Sequence, residues 1–175
     1  GERVKAALIS SGLSLPPRRI VVNLAPADLP KEGSHYDLPI ALALMATIGA
    51  FPADALDGYV AIGELGLDGR LARVDGVLPA AIAAHGRDLG IICPAPSGPE
   101  AAWAGDDIEI VAPETLLALV NHLGGYQLCP RPVPRRRELA AGLPDLGDVR
   151  GQEVARRALE VAAAGGHNLL MVGPP

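Results

Sequence analysis

Residues 126–147 carry Pro130, Pro132, Pro134 and Pro144, the run Arg135-Arg136-Arg137, and little hydrophobic periodicity. Each proline fixes φ and removes a backbone donor, so neither a helix nor a central strand can run through such a stretch. It reads as a linker. The 175 residues therefore divide into 1–125, enough for a full domain, and 148–175, enough for the beginning of another.

The first part alternates helix and strand signals. Val4, Ala7 and Leu8 place apolar groups on one helical face over 2–11, with Gly12 as the stop. Ile20 to Leu24 reads as a short β-branched strand. A second helix is expected over 37–48, with Asp37 as N-cap and Pro39 in the first turn. Residues 59–67 and 70–74 suggest a hairpin turning on Asp68-Gly69, a pair suited to a type I′ turn. Further helices are expected over 77–85, weakly over 99–104, and over 113–123. Short buried strands are expected at 91–93 and 108–111. The pattern is α/β.

After the linker, residues 152–164 form an amphipathic helix stopped by Gly165-Gly166. Leu169 to Val172 is then a strand delivering the chain to Gly173-Pro174-Pro175. In a phosphate-binding loop, G-x-x-x-x-G-K-S/T, the first Gly begins a turn whose N–H groups wrap nucleotide phosphates. The Lys and hydroxyl residue of that motif would lie six and seven positions beyond Gly173. An ordinary Gly-Pro turn after a buried strand is the alternative. Because the chain starts at Gly1 without Met and runs out inside the loop, a fragment of a longer protein is expected.

Composition limits the function classes. Aromatics are scarce: Phe51, Trp103 and three tyrosines. The core must come from Ala, Leu, Ile and Val. A net charge of −5 supplies no global attraction to nucleic acid, so any such contact must be local. Cys93 and Cys129 fit no metal or redox motif and agree with a reducing cytoplasm. No apolar stretch reaches the roughly 18 residues of a membrane span. The histidines His35, His85, His122 and His167 are scattered and match no metal-binding spacing.

Asp145-Leu-Gly-Asp-Val-Arg-Gly-Gln152, the helix after it and Gly173-Pro-Pro175 together resemble the opening of an AAA+ ATPase module. That resemblance implies that Val149 and Gly151 line an adenine pocket, while Gly173, Pro174 and Pro175 open the phosphate loop. It also implies ATP and Mg²⁺ as cofactors of the full-length protein, with none expected for this fragment alone.

Two segments of the first part resemble the S5-type fold of the Lon proteolytic domain. They are Pro30-Lys-Glu-Gly33 with Asp37-Leu-Pro-Ile-Ala-Leu42, and Gly63-Glu-Leu-Gly-Leu-Asp-Gly69 continuing to Leu78. Active Lon uses a Ser–Lys dyad. By alignment on these segments the serine position falls on Asp37 and the lysine position on Leu78. A carboxylate at a helix N-terminus is held ionised and is a poor nucleophile toward amides, and Leu78 offers no base. Ser34 and Lys31, nearby, would be the components of a rearranged dyad. A serine peptidase is disfavoured.

A non-proteolytic Lon-like domain ahead of an AAA+ module resembles the Mg-chelatase-like ATPases of the YifB/ComM type. Val22-Asn-Leu-Ala-Pro-Ala-Asp-Leu-Pro-Lys-Glu-Gly-Ser-His-Tyr-Asp-Leu-Pro-Ile-Ala41 and His167-Asn-Leu-Leu-Met-Val-Gly-Pro-Pro175 carry this likeness. It implies a hexameric DNA motor of the branch-migration, competence type. It also implies that about two strands precede Gly1 and that most of the motor follows Pro175. An alternative reading makes the Lon-like domain a non-enzymatic assembly or partner-binding module of a protein-remodelling or chelatase-type ATPase. Arg135, Arg136 and Arg137 could contact DNA phosphates. A solvated charged linker is the competing account of the same residues.

Overall fold

The computed structural model describes residues 2–13, 15–17, 19–26, 28, 33–135, 142 and 144–173. The chain forms two compact units, Gly1–Arg135 and Arg136–Pro175.

The first unit is α/β. Helix α1 (Glu2–Ser10) buries Val4, Ala7 and Leu8, the apolar face read from the sequence. Helix α2 (Asp37–Thr47) buries Leu38, Ala41, Leu42 and Met45 and packs against α1. Strands β1 (Tyr59–Ala61), β4 (Gly90–Ile92) and β5 (Ile110–Val111) make a parallel sheet in the order β1-β4-β5. Between β1 and β4 lie a two-stranded ribbon, β2 (Glu64–Leu65) and β3 (Leu71–Ala72), and helix α3 (Val77–His85). The short helix α4 (Gly98–Ala101) connects β4 to β5, and α5 (Leu116–Leu123) follows β5.

Alternation along the strands explains the layering. Ile91, Cys93 and Ile110 pack on the α3 and α4 side with Val77, Ala81, Ala84 and Ala101. Ile92 and Val111 face the other way, onto α1, α2 and α5 with Leu8, Leu38, Met45, Leu116 and Leu119. A parallel sheet covered on both faces needs uninterrupted apolar strands, and Ile91-Ile92-Cys93 is such a run.

The ribbon turns differently from the expected type I′ loop. Gly66 N–H donates to Arg70 O at 2.8 Å and Gly69 N–H to Gly66 O at 3.1 Å, leaving three residues, 67–69, in the loop. Gly69 has φ +82°, the left-handed position at which a three-residue hairpin uses glycine. Residues 59–67 are also not one strand. Tyr59–Ala61 joins the parallel sheet, and only Glu64–Leu65 enters the ribbon.

Other expectations need correction. Asp37 is the first residue of α2, not its cap; Tyr36 holds the cap position without a side-chain bond. Helix α5 begins three residues later than expected from Pro113, at Leu116. There Thr115 Oγ1 accepts the Ala118 N–H at 3.1 Å. Ile20 to Leu24 forms no strand: a strand exists only through a ladder partner, and none pairs with it among the described residues. Val21 is 76% exposed.

In the second unit, Leu146–Asp148 makes a 3-10 turn and α6 (Glu153–Gly165) follows. Leu169 to Val172, expected as a strand, has no ladder partner among the described residues, and Val172 is 91% exposed. Among the described residues no helix is long and apolar enough to cross a membrane.

Candidate functional site

The segments around Asp37 and Gly63 meet. Gly63 N–H donates to His35 O at 3.0 Å, and Leu38 N–H donates to Gly63 O at 3.0 Å. A Cβ on Gly63 would stand 2.8 Å from Leu38 Cδ2 and 3.1 Å from its Cβ, so only glycine allows this approach. The backbone contact brings the start of α2 beside the start of β2, and polar side chains gather there.

Arg3, on α1, is the centre of that group. Its Nε lies 2.8 Å from Asp37 Oδ2, and its Nη1 donates to Glu64 Oε1 at 2.5 Å. Ser34 Oγ donates to the other carboxylate oxygen, Glu64 Oε2. Asp37 is 13% exposed on its side chain. Its Oδ2 accepts no hydrogen bond, because the Arg3 N–H does not aim at it, so the Arg3–Asp37 contact is Coulombic.

Asp37, which the Lon resemblance aligned with a nucleophile position, is thus half of an ion pair. Leu78 lies half-buried on α3, a helix whose buried face joins the other hydrophobic cluster. Ser34 is engaged by the Glu64 carboxylate. Lys31 and Pro30 lie outside the described residues. Arg3, Asp37, Glu64 and Ser34 form a polar bolt joining α1, α2 and the ribbon, one cation held between two carboxylates. Sequence reasoning missed Arg3 and Glu64 as partners because 61 residues separate them.

The second group is the segment from Asp145 to Gln152. Asp145 and Asp148 fold it by exchange: Gly147 N–H donates to Asp145 Oδ1 at 2.7 Å, and Asp145 N–H to Asp148 Oδ2 at 3.2 Å. Val149 follows in an extended conformation, 39% exposed. Gly151 and Gln152 are both left-handed, with φ +67° and +54°, and turn the chain into α6. Neither Gly151 nor Gly173 has an atom within 4 Å of where a Cβ would stand. Pro174 and Pro175 lie outside the described residues.

The basic segment is the third. Residues 127–135, read from sequence within a linker, belong to the first unit as a strap. Cys129 N–H donates to His122 Nδ1 at 3.0 Å. The Arg131 guanidinium donates to Gly105 O at 2.9 Å and to Ile108 O. Trp103 Nε1 donates to Arg135 O at 3.2 Å. With prolines at alternate positions the strap cannot form a ladder, so side chains fasten it. A cavity of about 640 Å³ lies between the strap and the start of α5. Arg136 and Arg137 lie outside the described residues.

Residues 1–97 match the family model for subunit ChlI of Mg-chelatase, and residues 145–175 match that for magnesium chelatase, subunit ChlI. The chain is 43% identical over 174 residues to YifB of Escherichia coli, covering 99% of this chain and 34% of that protein. It is 41% identical over 179 residues to the competence protein ComM of Haemophilus influenzae, covering 99% and 35%. YifB of Salmonella typhimurium is 41% identical over 174 residues, covering 99% and 34%. The chain spans about a third of the length of these curated relatives. The chain belongs to the Mg-chelatase-like family that includes YifB and ComM.

Proposed function

We propose that this chain is part of an ATP-driven AAA+ motor that works on DNA in the cytoplasm, assembled as a ring of six. The first unit is its non-proteolytic Lon/S5-like domain, and the second opens the ATPase module. The observation that carries this reading is the match of residues 145–175 to the model for magnesium chelatase, subunit ChlI, with Gly151 and Gly173 on either side of α6. A bare backbone lets a flat base or an anionic oxygen approach the peptide groups. These residues fit the nucleotide: Val149 and Gly151 would hold the adenine, and Gly173, with Pro174 and Pro175, would begin the phosphate turn. ATP with Mg²⁺ supplies the hydrolysis when bound. The DNA role is proposed from the likeness to ComM, a competence protein.

The test is ATP hydrolysis by the full-length protein with and without DNA. DNA-stimulated turnover is expected, weakened by Gly151→Val, which fills the open face and strains a left-handed backbone. Absence of hydrolysis would remove the motor reading.

A second reading has its own support. The Arg3–Asp37–Glu64 cluster ties α1, α2 and the ribbon together, which suits an assembly or partner-binding module. Hydrolysis indifferent to DNA would favour a protein-remodelling or chelatase-type ATPase carrying such a module.

A further inference from the structure

The strap is where this chain spends aromatic surface on solvent. Only five aromatic residues, Phe, Trp and Tyr together, occur in 175, and the core uses Phe51 and Tyr59. Tyr126 at one end of the strap is 84% exposed, and Trp103 at the other end is 51% exposed. Between them stand Arg131 and Arg135, both exposed, and the arginine run continues to Arg137 in sequence. The Trp103 indole is not loose: its N–H donates to the Arg135 carbonyl, which ties the ring to the backbone at the end of the strap. Arg131 is tied to two carbonyls and His122 to the Cys129 amide, so the strap is set in place before any partner arrives.

Exposed aromatic rings interleaved with cations suit unpaired bases joined by phosphates. A folded protein or peptide partner would ask for a continuous apolar groove. Here every second residue from Pro130 to Pro134 is proline, which offers no backbone donor for strand pairing. A duplex would hide the π-faces that the rings can use. The geometry points to the 126–135 strap as a contact surface for single-stranded nucleic acid, with Trp103 and Tyr126 stacking on bases and Arg135 meeting a phosphate. This rests on the DNA reading proposed above and names the strand form and the place of contact. From Tyr126 to Arg135 the chain spans at most about 30 Å, room for a few nucleotides. Since the whole chain carries −5, binding must be local and steeply salt-dependent. The exposed Asp106, Asp107 and Glu109, in and beside the loop that Arg131 grips, oppose it.

Trp103 is the single tryptophan, so its emission reports directly. The 175-residue chain is titrated at low salt with an oligothymidylate of about ten nucleotides, and binding is also followed by anisotropy of the labelled strand. Saturable quenching of Trp103 is expected. Trp103→Ala weakens binding about tenfold, the scale of one lost base–aromatic stack. Trp103→Phe, which keeps a ring but loses the indole N–H, retains most of the affinity. Arg135→Ala lowers the log–log salt slope by about 0.7, the value of one phosphate on a single strand. Asp106→Asn tightens binding. The proposal is overturned if no strand binds, if the labelled strand binds without quenching, or if a duplex quenches equally. It also falls if Trp103→Phe loses as much as Trp103→Ala, which would make the residue a clasp for the strap. The motor reading fails separately. DNA-stimulated hydrolysis that survives Trp103→Ala with Tyr126→Ala in the full-length protein keeps the motor and removes the strap. Hydrolysis without any response to DNA removes the motor's DNA role.

Discussion

At the residue scale, the informative feature is the pairing of Arg3 with Asp37 and Glu64. Asp37 was legible in the sequence as a charge at a helix start. Its partner was not legible, because Arg3 lies on another element and nothing local points to it. Arg3→Ala strands the nearly buried Asp37 carboxylate and releases Glu64. With Arg3 itself 42% exposed, solvent moderates the cost to about 1–2 kcal/mol. Urea unfolding at pH 7 should show the midpoint fall, and Asp37→Asn should recover part of it in the Arg3→Ala background. Gly63→Ala meets the buried Leu38 and should cost about 1–3 kcal/mol by the same measurement. Cys93 gives a third residue-level outcome. Burial pushes its thiol from 9.0 up to about 12, with a smaller push from the Glu100 charge. Above pH 9 the unfolded chain releases a proton that the folded chain keeps. Stability therefore falls as pH rises from 9 toward 12, by up to about 1.4 kcal/mol per unit. In a Cys129→Ser background, Cys93 should stay unmodified by a thiol reagent at pH 8 until denaturant is added. Cys93→Ala should flatten the alkaline limb of the stability curve.

At the element scale, helices were read more accurately than strands, for a physical reason. A helix satisfies its hydrogen bonds locally, so α1, α3 and α6 carry their signals in their own sequence. A strand depends on a partner elsewhere. Ile20 to Leu24 and Leu169 to Val172 have the residues of strands but no ladder among the described residues, whereas Tyr59–Ala61 joins Gly90–Ile92 across 31 positions. Position 69 shows how one turn decides a register. Its φ of +82° and the Ala7 carbonyl, 3.2 Å from where a Cβ would stand, together demand glycine. Gly69→Ala is expected to destabilise the first unit by about 1–3 kcal/mol, through backbone strain and contact with α1. Thr115→Ala should cost about 1 kcal/mol through the lost α5 cap, while Thr115→Ser should cost much less. Thermal unfolding of the three variants separates the two effects.

For the whole molecule, the division into two units has a thermodynamic consequence. Among the described residues, every buried hydrophobic side chain except Ala162 belongs to the first unit. That unit contains both hydrophobic clusters and the sheet between them, enough for one cooperative transition. The second unit offers α6, thirteen residues long, close to the length at which an isolated helix in water is marginal. The proline-rich segment that suggested two parts from sequence did so because proline is visible locally. That 127–135 fastens to the first unit was hidden, since its three ties run through Trp103, Arg131 and His122 to distant backbone or from it. A chain ending at Arg135 should keep the strap and show the melting temperature of the 175-residue chain to within about 2 °C. A chain ending at Gly125 loses the strap's hydrogen bonds and the Pro132 contact with Gly98, and should melt several degrees lower, at roughly 4–8 °C per kcal/mol for a domain near this size. Equal melting of all three chains would mean the strap contributes nothing to the fold. A large drop on removing 136–175 alone would show that the first unit depends on the second.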